Sequence, residues 1–422
     1  MLNAKPPTIL RKPSLRLPVS LRTRLILANI LVIAVSIAAL GYYVYYRGQE
    51  STTFLTTELE SNVQSKAVDT LTTTSLTQAQ TLNQIFTTVR TDVNRIGVTV
   101  NAMLSQQATL GAGAYWNASD SLARLQNGSW DNTSRTDPAS VFIPARVDLN
   151  EELVSELNTL KQLDFTIPKI LESNPDMIAA YFGGPSGETL YYPNIDLANI
   201  VPPDFDVTGR PWYTKAAPEQ NQGRVAVWSD PYLDAALHGL VVTTSYPIYD
   251  EARRFRGVVA IDVQLNRMSF LVSNIHVGKS GYAFVVDGGG RVMAMPPAGY
   301  NDLGYTADNL PLGESLTGDK LPKPLPAELS RIISKMKVGQ TGLETIKING
   351  QERYVFYRPI AEVGYSIAIV VPTAEMLTGA VEAKQRINMS ATNTQQTSFV
   401  LIAIILGFAL LASLWIGNTL IA

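Results

Sequence analysis

Two long uncharged apolar runs, residues 25–46 and 399–421, constrain this chain more than anything else in it, because each is long enough to cross a bilayer core as a helix. The first ends in Tyr42, Tyr43, Tyr45 and Tyr46, and the second carries Trp415 near its far end, where interfacial aromatic side chains belong. A cleaved signal peptide has a shorter apolar region, typically about 7–15 residues, so the first run reads as a permanent span. Lys5, Arg11, Lys12, Arg16, Arg22 and Arg24 precede it without an acidic residue, and the positive-inside rule places residues 1–24 in the cytoplasm. The expected topology is two-pass in the plasma or inner membrane, with transmembrane helices at 25–46 and 397–422. Residues 47–396 between them are expected outside.

Composition then removes several functions. The 422 residues contain no cysteine, so disulfides, zinc–thiolate sites and thiol nucleophiles are absent. Two histidines, His238 and His276, are a poor basis for a histidine-rich metal site or a Ser-His-Asp triad. No catalytic residue, metal ligand or cofactor is expected, and the chain does not read as an enzyme. With the six N-terminal cations set aside, 28 basic residues face 36 acidic ones, which argues against nucleic acid as a partner.

Along the external part, Leu55, Leu59, Val63, Ala67 and Leu71 recur every four residues, and Leu82, Phe86, Val89, Val93 and Ile96 continue at spacings of three and four. This pattern predicts a long amphipathic helix over 47–110. Gly, Ser, Asn and Asp cluster from 111 to 144, which reads as a loop or insertion. Asn117, Asn127, Asn132 and Asn388 each begin an Asn-X-Ser/Thr triplet, a pattern so short that chance is the reading adopted. Leucines at 153, 157, 160 and 163 predict a helix over 148–173.

After Pro175 the period changes to that of strands. Runs at 177–182 and 189–192 flank the turn Gly183-Gly184-Pro185-Ser186-Gly187, and further strands are expected at 224–228, 240–248 and 257–263. A second, smaller set follows at 282–286, 291–294, 343–348, 352–359 and 365–371, with the boundary near 273–277. Gly288-Gly289-Gly290 lacks the Lys-Ser/Thr ending of a phosphate loop and reads as a hairpin turn. Thr373 is expected to cap a helix that carries Glu375 in its first turn and leads into the second span. Antiparallel sheets with helices packed on them define the α+β class.

The chemistry concentrates in Arg210-Pro-Trp212-Tyr213, Tyr232-Leu-Asp234 and Asp262. A guanidinium can hold a carboxylate through two parallel hydrogen bonds, an aspartate can accept from an ammonium group, and aromatic walls exclude water between them. A small zwitterion is complementary to this set. Each residue also has a structural reading: Arg210 paired with a neighbouring acid, Trp212 and Tyr213 in a core, and Asp262 serving backbone groups. His238 follows the Tyr232/Asp234 segment closely enough to reach the same pocket, but as a lone histidine it is expected at the surface.

The order of first span, long helix, larger sheet unit with Arg210-Pro-Trp-Tyr213, smaller unit opening His276-Val-Gly-Lys-Ser-Gly-Tyr-Ala-Phe-Val-Val-Asp287, and second span resembles bacterial receptors with a double Cache domain. Asp230-Pro-Tyr232-Leu-Asp234, Gly257-Val-Val-Ala-Ile-Asp262 and Gly364-Tyr-Ser-Ile-Ala-Ile-Val-Val-Pro372 agree with it in sequence and spacing. The resemblance implies two PAS-like antiparallel-sheet modules after the long helix: a membrane-distal one at 111–275 and a membrane-proximal one at 276–372, with a juxtamembrane helix at 373–396. In the amino-acid-sensing members, the resemblance further implies that Arg210, Trp212 and Tyr213 hold the ligand's carboxylate while Tyr232, Asp234 and Asp262 surround its amino group. Those sensors commonly have a tyrosine five residues before the arginine, and this chain has Phe205 there, which loses a hydroxyl. Six of the seven positions match, so an amino acid or an amine is the expected ligand.

Receptors of this type commonly act as dimers, and a homodimer through the long helix is expected. No methyl-accepting coil, HAMP linker, kinase, cyclase or phosphatase segment occurs before Ala422, so the output domain is expected on a missing segment or a separate chain. The competing expectation is a membrane-anchored assembly protein that uses its external sheets without a small ligand.

Overall fold

The computed structural model describes residues 21–317 and 321–419. Lys5, Arg11, Lys12 and Arg16, on which the orientation argument rests, lie outside the described residues, as do residues 420–422 at the end of the second apolar run. Two units are described separately: residues 21–66 with 377–419, and residues 67–376.

In the first unit both apolar runs are helical. One helix covers Leu21–Ser105 without a break, and the last covers Thr373–Thr419. Both are long and apolar enough to cross a membrane. Leu25, Leu31, Val35, Leu40, Phe408, Leu411 and Trp415 are all more than half exposed, an apolar surface that water would penalise and lipid would not.

The second unit is α+β, as the alternating patterns require. Its helical stripe is buried through Leu71, Leu82, Phe86, Val89, Val93, Ile96 and Val100. Phe86 meets Trp228 edge-on at 5.3 Å and Tyr365 at 6.0 Å, so one helix position touches both sheets. Gly97 permits close approach here: an added Cβ would lie 2.3 Å from the Tyr246 ring. Leu55, part of the same predicted stripe, is 51% exposed, and the helix ends at Ser105 rather than at 110, with a separate turn at Gln107–Leu110.

A two-stranded hairpin, β1 (Leu122–Arg124) and β2 (Trp130–Asn132), precedes the first large sheet. That sheet contains β3 (Ser140–Phe142), β4 (Ala179–Gly183), β5 (Thr189–Tyr192), β6 (Val227–Trp228), β7 (Tyr232–Leu233), β8 (Leu240–Tyr249) and β9 (Phe255–Gln264). The order is β3-β5-β4-β9-β8-β6 with β7 also on β8, and every pairing is antiparallel. The second sheet contains β10 (Tyr282–Val286), β11 (Val292–Ala294), β12 (Gly342–Ile348), β13 (Gln351–Ile360) and β14 (Tyr365–Pro372), in the order β11-β10-β14-β13-β12. Helices at Leu265–Ser273 and Ala327–Lys337, which strand-based reading of the sequence passed over, bury Met268, Val272, Leu329, Ile332 and Ile333.

The region 111–144 is not a plain loop. It supplies β1, β2 and the edge strand β3, and it is held by charge. Lys161 is fully buried, with Nζ 2.7 Å from Asp164 Oδ2, 3.9 Å from Asp137 Oδ2 and 5.1 Å from the centre of the Trp116 ring. Asp164 also accepts from the hydroxyls of Tyr192 at 2.7 Å and Tyr115 at 3.1 Å. Asp137 accepts from Asn132 at 2.7 Å, and Asn132 Oδ1 accepts from the Val141 amide. Asn132 is thereby buried and committed, which removes it as a glycan acceptor. This tertiary network replaces local periodicity, so three- or four-residue windows could not reveal it.

The predicted helix at 148–173 is split. Glu151–Leu160 is capped by Asn150, a 3₁₀ turn covers Lys161–Phe165, and a new helix starts at Ile167 with Pro168 in its first turn, where a missing amide costs nothing. Thr373 is the first helical residue rather than the cap, and its hydroxyl donates to Glu352 O. Glu375 accepts from the amides of Lys279 at 2.7 Å and Ser280 at 3.1 Å. Gly278, at φ +67°, makes room for that carboxylate: an added Cβ would lie 2.6 Å from Glu375 Oε2.

Candidate functional site

Strand register assembles the site. Ala179 on β4 and Thr243 on β8 both pair with Asp262 on β9, and Tyr181 pairs with Tyr191 on β5. Tyr181 lies two residues along from Ala179 and therefore shares its face of the pleat. That brings one carboxylate, one threonine and two tyrosines to a single patch.

Asp262 is completely buried. Its Oδ1 accepts from Tyr181 at 2.7 Å and Thr243 at 2.6 Å, while its Oδ2 is buried with no hydrogen-bond partner among the described residues. Burial, reinforced by the charge of Asp234, pushes its carboxyl up to about 7; the two hydrogen bonds and the charge of Arg210 pull the other way. Tyr232 joins through its hydroxyl, 2.7 Å from Thr243 Oγ1 and 3.3 Å from Tyr181. The Tyr181 ring is stacked on Tyr191 at 5.3 Å and meets Trp212 edge-on at 4.8 Å. Gly183 lets Trp212 in: a Cβ there would lie 2.6 Å from the indole.

Arg210 precedes the helix Pro211–Ala216, its extended backbone (φ −76°, ψ 148°) turning the chain into that helix. Its Nη2 donates to Leu233 O at 2.6 Å, and its guanidinium lies 5.2 Å from the Tyr232 ring centre and 5.9 Å from that of Phe205. Among the described residues Arg210 makes no ion pair, so its positive charge is available to a ligand. Phe205, half-buried, also packs edge-on against Phe142 at 6.3 Å.

Not every expected residue converges. Tyr213 sits beyond Trp212, packed on Phe255 at 5.8 Å; burial raises its hydroxyl, and Glu188, Asp206, Glu219 and Glu156 are the charges that act on it. The structure does not bring it to Asp262. His238 is corrected in the other direction. It is not a free surface residue: Nδ1 lies 2.7 Å from Asp234 Oδ2 and 3.4 Å from the Tyr191 hydroxyl, with the side chain 30% exposed. Asp234 thus already has a partner, and Asp262 is the carboxylate with an unused oxygen. Tyr181, Tyr191 and Thr243 were missed because they look like ordinary strand residues; the signal was their alternation with Phe182, Tyr192 and Thr244 in strands that pair with β9 or with each other.

A separate cavity of about 820 Å³ lies between the helix Leu265–Ser273 and the second sheet unit, lined by Phe270, Met295, Tyr300, Tyr305 and Leu312 among others. None of its lining residues is charged, so it cannot neutralise either end of a zwitterion.

The sequence profile of the Cache domain family matches residues 51–380. The methyl-accepting chemotaxis protein McpC of Bacillus subtilis is 32% identical over 177 residues, covering 42% of this chain and 23% of that protein. PctB of Pseudomonas aeruginosa, also a methyl-accepting chemotaxis protein, is 33% identical over 116 residues, covering 28% of this chain and 17% of that protein. The matches therefore span less than a quarter of these curated relatives. Among solved structures, the ligand-binding domain of Mlp24 with asparagine aligns with 76% of this chain and 98% of its own, at 15% identity and a TM-score of 0.43.

Proposed function

We propose a sensory function from the premise that this chain belongs to the Cache domain family: it is the sensing part of a two-pass membrane receptor and binds a small amino acid at the Asp262 cluster. The observation that carries this reading is the opposed pair of unused charges. Among the described residues Asp262 Oδ2 is buried without a donor and the Arg210 guanidinium has no carboxylate. An α-amino acid supplies both missing partners, its ammonium for Asp262 and its carboxylate for Arg210. Trp212, Tyr232 and the stacked Tyr181 and Tyr191 surround the stem, while Phe205 offers its ring face to Arg210. Tyr213 contributes from behind Trp212. The relatives named above are chemotaxis receptors, not enzymes, and this reading requires no bond to be broken.

The segment carrying Tyr232 and Asp234 is also tied to the second sheet. Trp228 Nε1 donates to Glu362 at 3.2 Å, Glu362 pairs with Arg90 of the long helix at 2.9 Å, and Asp230 pairs with Arg291. A ligand that draws this segment inward favours one arrangement of these contacts over another, the differential binding that a conformational signal requires. Placement of the N-terminus in the cytoplasm, the external position of residues 47–396, the division into distal and proximal modules, homodimerisation and an output on a further segment or partner chain are all parts of this proposal.

The test is a thermal-shift panel on the full chain in lipid nanodiscs against L-amino acids, amines and small carboxylates, since a ligand of the native state raises its stability by mass action. Arg210→Ala should weaken an amino-acid hit by roughly a hundredfold, equivalent to about 3 kcal/mol for the loss of hydrogen bonds between charged groups. The same variant should leave amines lacking a carboxylate almost unaffected. Hits confined to such amines would end the carboxylate role of Arg210. Silence across the panel from folded protein would favour the assembly reading.

A further inference from the structure

At the hairpin end of β4 and β5, about 13 Å along the strand from the Ala179–Asp262 pairing, a second cavity of about 270 Å³ is lined by Glu152, Glu156, Glu188, Phe255 and Arg256 among others. Two of its carboxylates are deeply buried, Glu188 at 2% exposure and Glu156 at 6%. Glu156 Oε2 accepts from Arg256 at 2.5 Å, but its Oε1 is buried with no partner among the described residues. Glu188 folds back over Gly184, where an added Cβ would lie 1.5 Å from its Oε1, and its Oε2 is likewise buried with no partner among the described residues. A helix and a hairpin thus each bring a carboxylate with one orphaned oxygen to the lining of a single cavity, a rare arrangement in native interiors.

We propose that this cavity is a second binding site, taking the ammonium group of a small primary amine. An ammonium brings three N–H donors and one positive charge, which is what two orphaned carboxylate oxygens lack. An anion is repelled, and a neutral alcohol supplies a donor without the charge. A metal ion fits less well, because among the described residues no group of three or more His, Cys, Asp or Glu is placed to hold one. The volume limits the rest of the molecule to a short chain.

The surrounding charges have other engagements. Arg254 pairs with Asp250, Arg146 with Asp206, and Asp148 with Arg124. From the facing elements Glu152, Glu156, Arg256 and the Tyr213 ring also act near Glu188. Burial, with repulsion from Glu156 behind it, pushes Glu188 up to about 8. The empty site therefore carries a proton at neutral pH that an arriving ammonium expels, and binding tightens as pH rises from 6 to 8. This site is independent of the ligand assigned to Asp262.

The experiment is titration calorimetry with methylammonium chloride on the full chain in nanodiscs at pH 7, in two buffers of different ionisation enthalpy. An Asp262→Asn background silences the first cluster. Saturable binding with release of most of one proton is expected. Glu188→Gln should abolish the proton release and weaken binding by roughly tenfold or more, the size of a lost hydrogen bond to a charged group, and Glu156→Gln should weaken it by a similar factor. Tetramethylammonium, which has no N–H donor, should not compete. The proposal is overturned by the absence of saturable binding, by undiminished binding in the two glutamine variants, or by equal binding of tetramethylammonium.

Discussion

The ligand-free full chain carrying Asp262→Asn should unfold at a higher temperature than the parent at pH 8, while stabilisation by an α-amino acid disappears. Both effects come from one buried carboxylate. Asparagine can keep the hydrogen bonds that Tyr181 and Thr243 donate to Oδ1, so the packing survives. What changes is charge. The Asp262 carboxyl is raised from an ordinary 3.8 to about 7 in the fold, so the folded state binds more protons than the unfolded one between those values. Stability therefore falls as pH rises through roughly 4 to 7 and stays reduced above it, by about 1.4 kcal/mol for each tenfold gain in the carboxylate's proton affinity on folding. The advantage of the asparagine variant should be small near pH 4, grow to pH 7 and then level off. Ligand affinity of the parent should run the opposite way, strengthening up to tenfold per pH unit below 7, because an ammonium needs the ionised carboxylate. A variant that is no more stable at pH 8 yet still responds to the ligand would remove Asp262 from the site.

Lys161→Ala should cost about 3–5 kcal/mol, the penalty of breaking a buried ion pair from one side. Among the described residues no other cation pairs with Asp164. That carboxylate, 2% exposed in its side chain, would keep the hydroxyls of Tyr192 and Tyr115 but face Asp137 without compensation. The thermal midpoint of the full chain should drop by roughly 5–10 °C, and the 111–144 region should gain amide exchange first, since Trp116, Asp137 and Asn132 lose their anchor. Lys161→Met with Asp164→Asn, which removes both charges and keeps the volume, should recover much of the loss. A fall of less than about 1 kcal/mol in the single variant would mean that solvent reaches the pair and that the network is not what holds the insertion.

The features legible in the chain are those written in short-range periodicity. The two apolar runs and the strands at 189–192 and 282–286 follow from short continuous composition, and the stripe from Leu71 to Ile96 from a repeat near 3.6, so no distant partner is needed to recognise them. Composition was enough to set aside thiol and histidine-cluster chemistry. The charged members of the candidate cluster, Arg210, Asp234 and Asp262, also stand out, because a guanidinium or carboxylate beside aromatic residues is conspicuous in any sequence.

Other features depended on which strands become neighbours. Tyr181, Tyr191 and Thr243 enter the cluster through register across three strands, and a tyrosine in a strand carries no mark of whether its hydroxyl will meet a buried aspartate. Tyr213 stands next to Trp212 in the chain yet faces Phe255, because successive residues in a first helical turn point about 100° apart. The unused Oδ2 of Asp262, the His238 contact that occupies Asp234, the Lys161 network and the orphaned oxygens of Glu156 and Glu188 exist only where long-range packing removes water. The sequence by itself determined the two long apolar helices, the α+β class and the presence of complementary charges. Tertiary structure decided which of those charges are satisfied and which have no partner among the described residues, because burial and hydrogen-bond partnership belong to the assembled sheets and not to any one segment.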